Sequence, residues 1–160
     1  MTAKLRFAPS PTGNLHIGSV RTAIFNWVWA KALNAQLVLR IEDTDQLRSK
    51  PEFEANILEG LEWMGLDYHE GPHAPKDGML YRQSERMAAN VYQPYIQQLL
   101  DSGHAYPCFE TDTELDAERA AAEAKGEAYM YSRKSLQYSK EEVAEKLASG
   151  VAYTIRLKVP

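Results

Sequence analysis

Only one cysteine, Cys108, stands in the 160 residues. No disulfide can form within the chain, and a thiolate-rich zinc site has too few ligands. Long apolar runs are absent too, none approaching the ~18 residues that read as a membrane span. The opening Met1-Thr-Ala-Lys-Leu-Arg6 lacks an apolar signal segment, so the expectation is a cytoplasmic chain with no membrane partner. Positive charge is not in excess either. Lys and Arg number 18 against 22 Asp and Glu, a net charge of −4, which removes a globally basic nucleic-acid surface and leaves only local basic grooves. What remains, 44% hydrophobic and 25% charged residues, is the composition of a folded globular chain.

Lys4 to Ala8 reads as a short strand, stopped by Pro9 and Pro11. From His16 to about Leu33 the pattern predicts a helix with Val20, Ile24, Trp27 and Val28 on its apolar face. Gln36 to Ile41 then reads as a buried strand. Strand, turn, helix and strand within roughly 40 residues make a βαβ unit, which requires a parallel pair. Ser49-Lys-Pro-Glu52 has the spacing of a capping box for a helix striped by Phe53, Ile57, Leu61 and Met64 and ended by Gly65. Residues 67–80 hold Gly71, Pro72, Pro75 and Gly78 and read as loop. Met87, Val91, Tyr95 and Leu99 mark a helix over 84–102, with a kink or break expected at Pro94. Beyond Gly103 come a strand at 105–109, helices capped by Thr111/Glu114 and by Ser139/Glu142, and an alternating strand at 153–159. The expected organisation is an α/β half-domain over 1–86 and a smaller α+β module over 87–160.

Chemistry concentrates in the turn Pro9-Ser-Pro-Thr-Gly-Asn-Leu-His16-Ile-Gly18-Ser19. Two prolines stiffen it, and Gly13 supplies backbone freedom. His16 stands at a helix N-terminus, where free N–H groups and the macrodipole favour an anion, so its imidazole can add a directed hydrogen bond to a phosphate. Gly18 lets a flat base or ribose approach the backbone. A helix-capping histidine is the plainer reading. Its place at the C-terminal end of the first strand of a βαβ unit favours a ligand site.

Arg-Phe-Ala-Pro-Ser-Pro-Thr-Gly13, Leu15-His-Ile-Gly-Ser19 and Val38-Leu-Arg-Ile-Glu-Asp-Thr-Asp45 together resemble the class I aminoacyl-tRNA synthetases, and within them the glutamyl-tRNA synthetase family. The resemblance continues through Tyr81-Arg-Gln-Ser-Glu-Arg86, Ala105 to Phe109 and Ile155-Arg-Leu-Lys-Val-Pro160. His16-Ile-Gly18-Ser19 matches the family's signature tetrapeptide, with serine in its last place. The resemblance implies the first half of a Rossmann-like (HUP-type) parallel-sheet catalytic domain, followed by a small α+β acceptor-binding insertion. It also implies ATP, Mg2+, L-glutamate and the acceptor end of tRNA(Glu) as cofactors and partners, and a monomer at full length.

By the same resemblance His16, Gly18 and Ser19 serve catalysis, and Pro11, Thr12, Gly13, His16 and Gly18 hold ATP. Arg6, with its forked donors, suits a carboxylate, and Glu42 suits an ammonium. The family implies these roles for glutamate, with Ala8 and Ser10 lining the pocket; the plainer alternative is that Arg6 and Glu42 pair with each other. The acidic run Glu42-Asp43-Thr44-Asp45 suggests magnesium or an N-cap for the next helix, and the resemblance places Asp45 and Arg48 near the tRNA acceptor end. No protein-held metal is expected. The zinc-binding Cys-x-Cys pair of some relatives reads Cys108-Phe-Glu110 here, so zinc is expected to be missing and Cys108 to be a small buried residue. Ser132-Arg-Lys-Ser135 reads as an exposed basic loop able to touch RNA phosphates, and Tyr129, Tyr131 and Tyr138 as packing residues.

The family's lysine loop, the second half of its sheet and its anticodon domains have no counterpart before Pro160, so weak or absent aminoacylation is expected of the chain alone. Three other readings compete: a glutamyl-queuosine-type paralogue, a small phosphopantetheine-type adenylyltransferase, and a non-catalytic module that holds ATP or tRNA.

Overall fold

Gln36–Leu39 (β2) is flanked on both sides, which is why its apolar residues run without interruption. On one side Lys4–Phe7 (β1) pairs with it in parallel, Lys4 opposite Gln36 and Phe7 opposite Leu39. On the other, Val38 bridges Glu70 and Ile41 bridges Arg82, both in parallel. Residues 67–80 are therefore not all loop: the backbone N–H of His69 donates to Leu37 O (2.8 Å) and that of Leu39 to Glu70 O (2.8 Å). The computed structural model describes residues 3–159; Met1, Thr2 and Pro160, which fall in the first and last expected segments, lie outside them. The chain divides into two compact units, Met1–Tyr92 and Gln93–Pro160. The division falls beyond the expected residue 86 because Tyr92 is tied back to the first unit, accepting from Arg86 Nε and donating to Gln83 Oε1 (2.8 Å each).

The crossover between β1 and β2 is the helix Ile17–Ala32 (α1). Its buried residues are the small Ala23 and Ala30, flanked by the expected Val20 and Trp27, which are half-buried, Trp27 against the core; the expected Ile24 and Val28 are exposed. The sequence is apolar around most of the helix, so periodicity alone does not choose a face; alanines let the helix lie close to the sheet. The helix Pro51–Trp63 (α2) covers the core with Ile57 and Leu61. Its N-cap is Lys50, without a side-chain cap, so the expected Ser49/Glu52 box does not form. Pro51 explains the difference: with φ preset and no N–H to satisfy, it starts a helix unaided. Gly65 (φ 68°) ends α2. The core gathers Phe7, Leu39, Ile41, Ile57, Leu61 and Leu66.

The helix expected over 84–102 is two, Gln83–Ala88 (α3) and Gln93–Asp101 (α4). The break precedes Pro94, at Asn90 (φ 53°). Pro94 sits in the first turn of α4, where its missing N–H costs no helix bond.

In the second unit Ala105–Cys108 (β3) pairs antiparallel with Thr154–Leu157 (β4), Ala105 opposite Leu157. Between them run Asp112–Ala124 (α5), a 3₁₀ turn at Lys134–Gln137, and Lys140–Ala148 (α6). Both expected capping boxes form, Thr111 with Glu114 and Ser139 with Glu142. No helix among the described residues is long and apolar enough to cross a membrane.

Candidate functional site

His16 is the N-cap of α1, with extended backbone. Its Nδ1 accepts from the backbone N–H of Gly18 (3.2 Å), and its Nε2 lies 3.0 Å from Ser19 Oγ. A backbone N–H can only donate, so Nδ1 is the bare nitrogen and the imidazole proton resides on Nε2. The capping role and the ligand role thus coincide: the cap fixes the tautomer that presents a donor beside Ser19. A Cβ added at Gly18 would come within 3.0 Å of His16 Cε1, so glycine here is room for the imidazole.

His16, Ser19, Ser10, Thr12 and Gly13 line one cavity of about 110 Å3. Gly13 has neither a positive φ nor any atom within 4 Å of an added Cβ. Its contribution is open space, and the expected need for backbone freedom is not seen. Pro11 points elsewhere: it is buried, and its carbonyl accepts from Lys50 N (3.1 Å).

The turn is clamped by α2, through residues that the sequence reading passed over. Asn56 Oδ1 accepts from Leu15 N (2.8 Å), and an added Cβ on Gly60 would meet Leu15 Cδ2 at 2.6 Å. A glycine inside an amphipathic helix costs about 1 kcal/mol against alanine, which is the signal that a neighbour needs the space.

The ends of β1 and β2 stay adjacent beyond their ladder, with Arg40 N donating to Phe7 O (3.0 Å) and Glu42 N to Pro9 O (2.9 Å). Arg6 is exposed, with no ion-pair partner among the described residues; Ala8 is half-buried. Glu42 does not pair with Arg6. Its Oε1 accepts from Arg40 Nε (2.7 Å) and lies 2.6 Å from Arg40 Nη2, while Oε2 has no hydrogen-bond partner among the described residues. Arg40 was legible as a neighbour, because residues two apart on an extended segment share a face.

Asp43 and Asp45 of the acidic run bond within the chain. Asp43 Oδ1 accepts from Ser84 N (2.8 Å). Asp45 binds Arg48 Nε (2.6 Å) and Arg48 N (3.1 Å), and these bonds hold its carboxyl below the usual range. It caps the turn 46–48, not α2. Among the described residues no group of three His, Cys, Asp or Glu could hold a metal ion.

In the second unit, buried Cys108 donates to Glu110 Oε2 (2.8 Å) and lies 3.1 Å from Tyr131 Oη, and Arg156 Nε donates to its sulfur (3.2 Å). Ser135 is buried as well, although the sequence predicts an exposed basic loop there. It donates to Glu110 Oε2 (2.6 Å) and accepts from Phe109 N (2.9 Å). Burial raises the Glu110 carboxyl, but the bonds from Cys108 and Ser135 outweigh it and bring the pKa down to about 2. Lys134 pairs with Glu118, while Tyr131 stacks under Arg156 at 4.3 Å and Tyr138 meets Phe109 edge-on at 6.1 Å.

Residues 2–160 match the family model described as tRNA synthetases class I (E and Q), catalytic domain. A glutamate–tRNA ligase of Pseudomonas fluorescens is 50% identical over 159 residues, 99% of this chain and 32% of that protein. One of Acinetobacter baumannii is 48% identical over 160 residues, again 32% of its length. The crystal structure of a glutamate–tRNA ligase from Elizabethkingia meningosepticum, in complex with its amino acid, superposes with a TM-score of 0.92 at 41% identity, covering 100% of this chain and 33% of the other. The chain thus spans about a third of the length of these relatives. With the parallel β1–β2 pair, its helical crossover and the histidine turn at the strand ends, the chain belongs to the class I tRNA synthetase (E and Q) catalytic-domain family.

Proposed function

We propose that this chain binds ATP and L-glutamate at the C-terminal ends of β1 and β2, and serves the activation of glutamate to glutamyl-adenylate and its transfer to the acceptor end of tRNA(Glu) in the cytoplasm. The observation that carries this reading is the capped His16, whose Nε2 donor lies beside Ser19 Oγ (3.0 Å) at the wall of one cavity lined by His16, Ser10, Thr12 and Ser19. At about 110 Å3 the cavity suits one phosphate group, since whole-ligand sites begin near ~300 Å3. Thr12 and Gly13 line that wall and Gly18 makes room for the imidazole, while Pro11 faces away from it, toward a groove along α2. Asp45 and Arg48, already bonded to each other, lie on the next loop, and we assign them to the tRNA acceptor end on the resemblance. The second unit is assigned to that same end.

In the activation step a glutamate carboxylate oxygen attacks the α-phosphorus and pyrophosphate leaves. The protein's part is positioning and charge stabilisation. His16 donates to phosphate, Arg6 faces a carboxylate of glutamate, and Glu42 Oε2 accepts from its ammonium while Arg40 holds the other oxygen. Glutamine would leave the guanidinium unpaired, which disfavours it. The donor set does not fit a resident Mg2+, because Asp43 and Asp45 are spent on Ser84 and Arg48. Mg2+ therefore enters as part of the nucleotide substrate, on its phosphates.

The test is binding of a non-hydrolysable glutamyl-adenylate analogue by calorimetry. His16→Ala and Arg6→Ala should each weaken it about tenfold, and the glutaminyl analogue should bind at least about tenfold worse. Equal binding of both analogues, unaffected by Arg6→Ala, would overturn the reading.

A further inference from the structure

A second, larger cavity lies across α2 from the histidine turn. It is an open groove of about 1040 Å3, at the upper end of the range for small-molecule sites. Ala55, Leu58, Leu66 and Tyr68 give it an apolar lining. Its charged side chains are Asp43, Glu54, Glu59, Glu62 and Asp67 against Lys50 and Arg82, an excess of acid in a concave, partly apolar setting.

Most of these charges are already engaged. Arg82 holds Glu54 and Glu85, each at 2.7 Å. Asp67 accepts from Trp27 Nε1 (2.7 Å) and Lys31 Nζ (3.0 Å). Asp43 is bonded to Ser84, and Lys50 lies 3.8 Å from Glu52. Glu59 and Glu62 have no such partner among the described residues. Three apart on α2, they stand side by side on its surface.

The field of this cluster reaches the apolar lining. Burial first, and then the charges of Glu54 and Glu62, raise the Tyr68 phenol above its usual range. One wall also holds Ser49, whose Oγ is buried without a hydrogen-bond partner. A phosphate or polynucleotide would meet repulsion here. A neutral apolar molecule would leave two carboxylates beside it without a counter-charge. A cation with an apolar body satisfies both surfaces, and the Tyr68 ring offers a face that also attracts cations.

We propose that this groove is a binding site for amphipathic organic cations, taking a primary ammonium at Glu59 and Glu62 and an aromatic or branched alkyl body against Leu58, Leu66 and Tyr68. The site is separate from the nucleotide wall. Ile57 faces the histidine cavity while Leu58 and Glu59 face the groove, so the two can be filled together.

The test uses the full chain, 15N-labelled, titrated with benzylammonium and, as controls, with benzyl alcohol and phenylacetate. The expected result is saturable amide shifts confined to α2 and residues 66–74, unchanged by saturating ATP, with both controls weaker than the cation. The double variant E59Q/E62Q should weaken benzylammonium about fivefold, the scale set by exposed charge pairs, without lowering the melting temperature. Equal binding of the three probes, no change in the double variant, or displacement of the cation by ATP would each overturn the proposal.

Discussion

Leu39, Ile41 and Ile57 are almost wholly buried in the first unit, whereas the second is centred on Cys108, with Glu110, Ser135, Tyr131 and Arg156 bonded around it. The first centre gains from apolar area removed from water, a non-directional effect that tolerates swaps of similar volume. The second depends on each donor meeting its acceptor, since a partner removed leaves a buried polar group unpaired. One unit should therefore lose stability in proportion to the apolar volume removed, and the other whenever a partner is removed, even when the volume is kept.

The largest expected effect is in the apolar centre. Ile57→Ala should cost about 2–5 kcal/mol and Ile57→Val about 0.5–1.5, read from urea denaturation followed by tryptophan fluorescence. Next, Glu110→Gln should cost about 1.5–3 kcal/mol, the worth of hydrogen bonds to a charged acceptor. The pH dependence has a definite sign. The Glu110 carboxyl has a pKa of about 2 in the folded chain and about 4.3 unfolded. Its stabilisation is fully present above the unfolded value and is lost as pH falls from about 4.3 toward 2. An acid titration by near-ultraviolet circular dichroism should show this loss in the parent and a flatter profile in Glu110→Gln.

A pair of serines sharpens the contrast. Ser135→Ala removes a bonded hydroxyl and should cost about 1–3 kcal/mol. Ser49→Ala removes an unpaired one and should be neutral or stabilising by up to about 1 kcal/mol; melting curves of the two variants decide it. Smallest of all, Gly18→Ala should change stability by less than about 0.5 kcal/mol, because the helical gain of alanine over glycine offsets the disturbed cap, yet it should move the His16 ring resonances, because the new methyl takes the space of the imidazole.

The same contrast explains what could be read from residues alone. The βαβ order, the two capping boxes at Thr111 and Ser139, and the break near Pro94 follow from local rules of period, capping and proline geometry. The face of α1 followed only in part, Val20 and Trp27 turning inward and Ile24 and Val28 outward, since a helix apolar on most sides gives periodicity little to discriminate. The Ser49/Glu52 box did not follow, because Pro51 makes a side-chain cap unnecessary. At the site, His16 was legible from the turn's position between strand and helix, and Ser10, Thr12 and Ser19 from the family resemblance; the four line one cavity. Their supports, Asn56 and Gly60, depend on distant segments meeting. The knot at Cys108 joins residues 48 positions apart in sequence, and no local pattern announces it.

The direct measurement of the central claim is a titration of the 15N-labelled chain with Mg2+-ATP. The account predicts amide shifts at Thr12, Gly13, Gly18 and Ser19, and an affinity about tenfold weaker in His16→Ala, the scale of one charge-assisted hydrogen bond. Unchanged affinity in His16→Ala, or shifts confined to other parts of the chain, would contradict it.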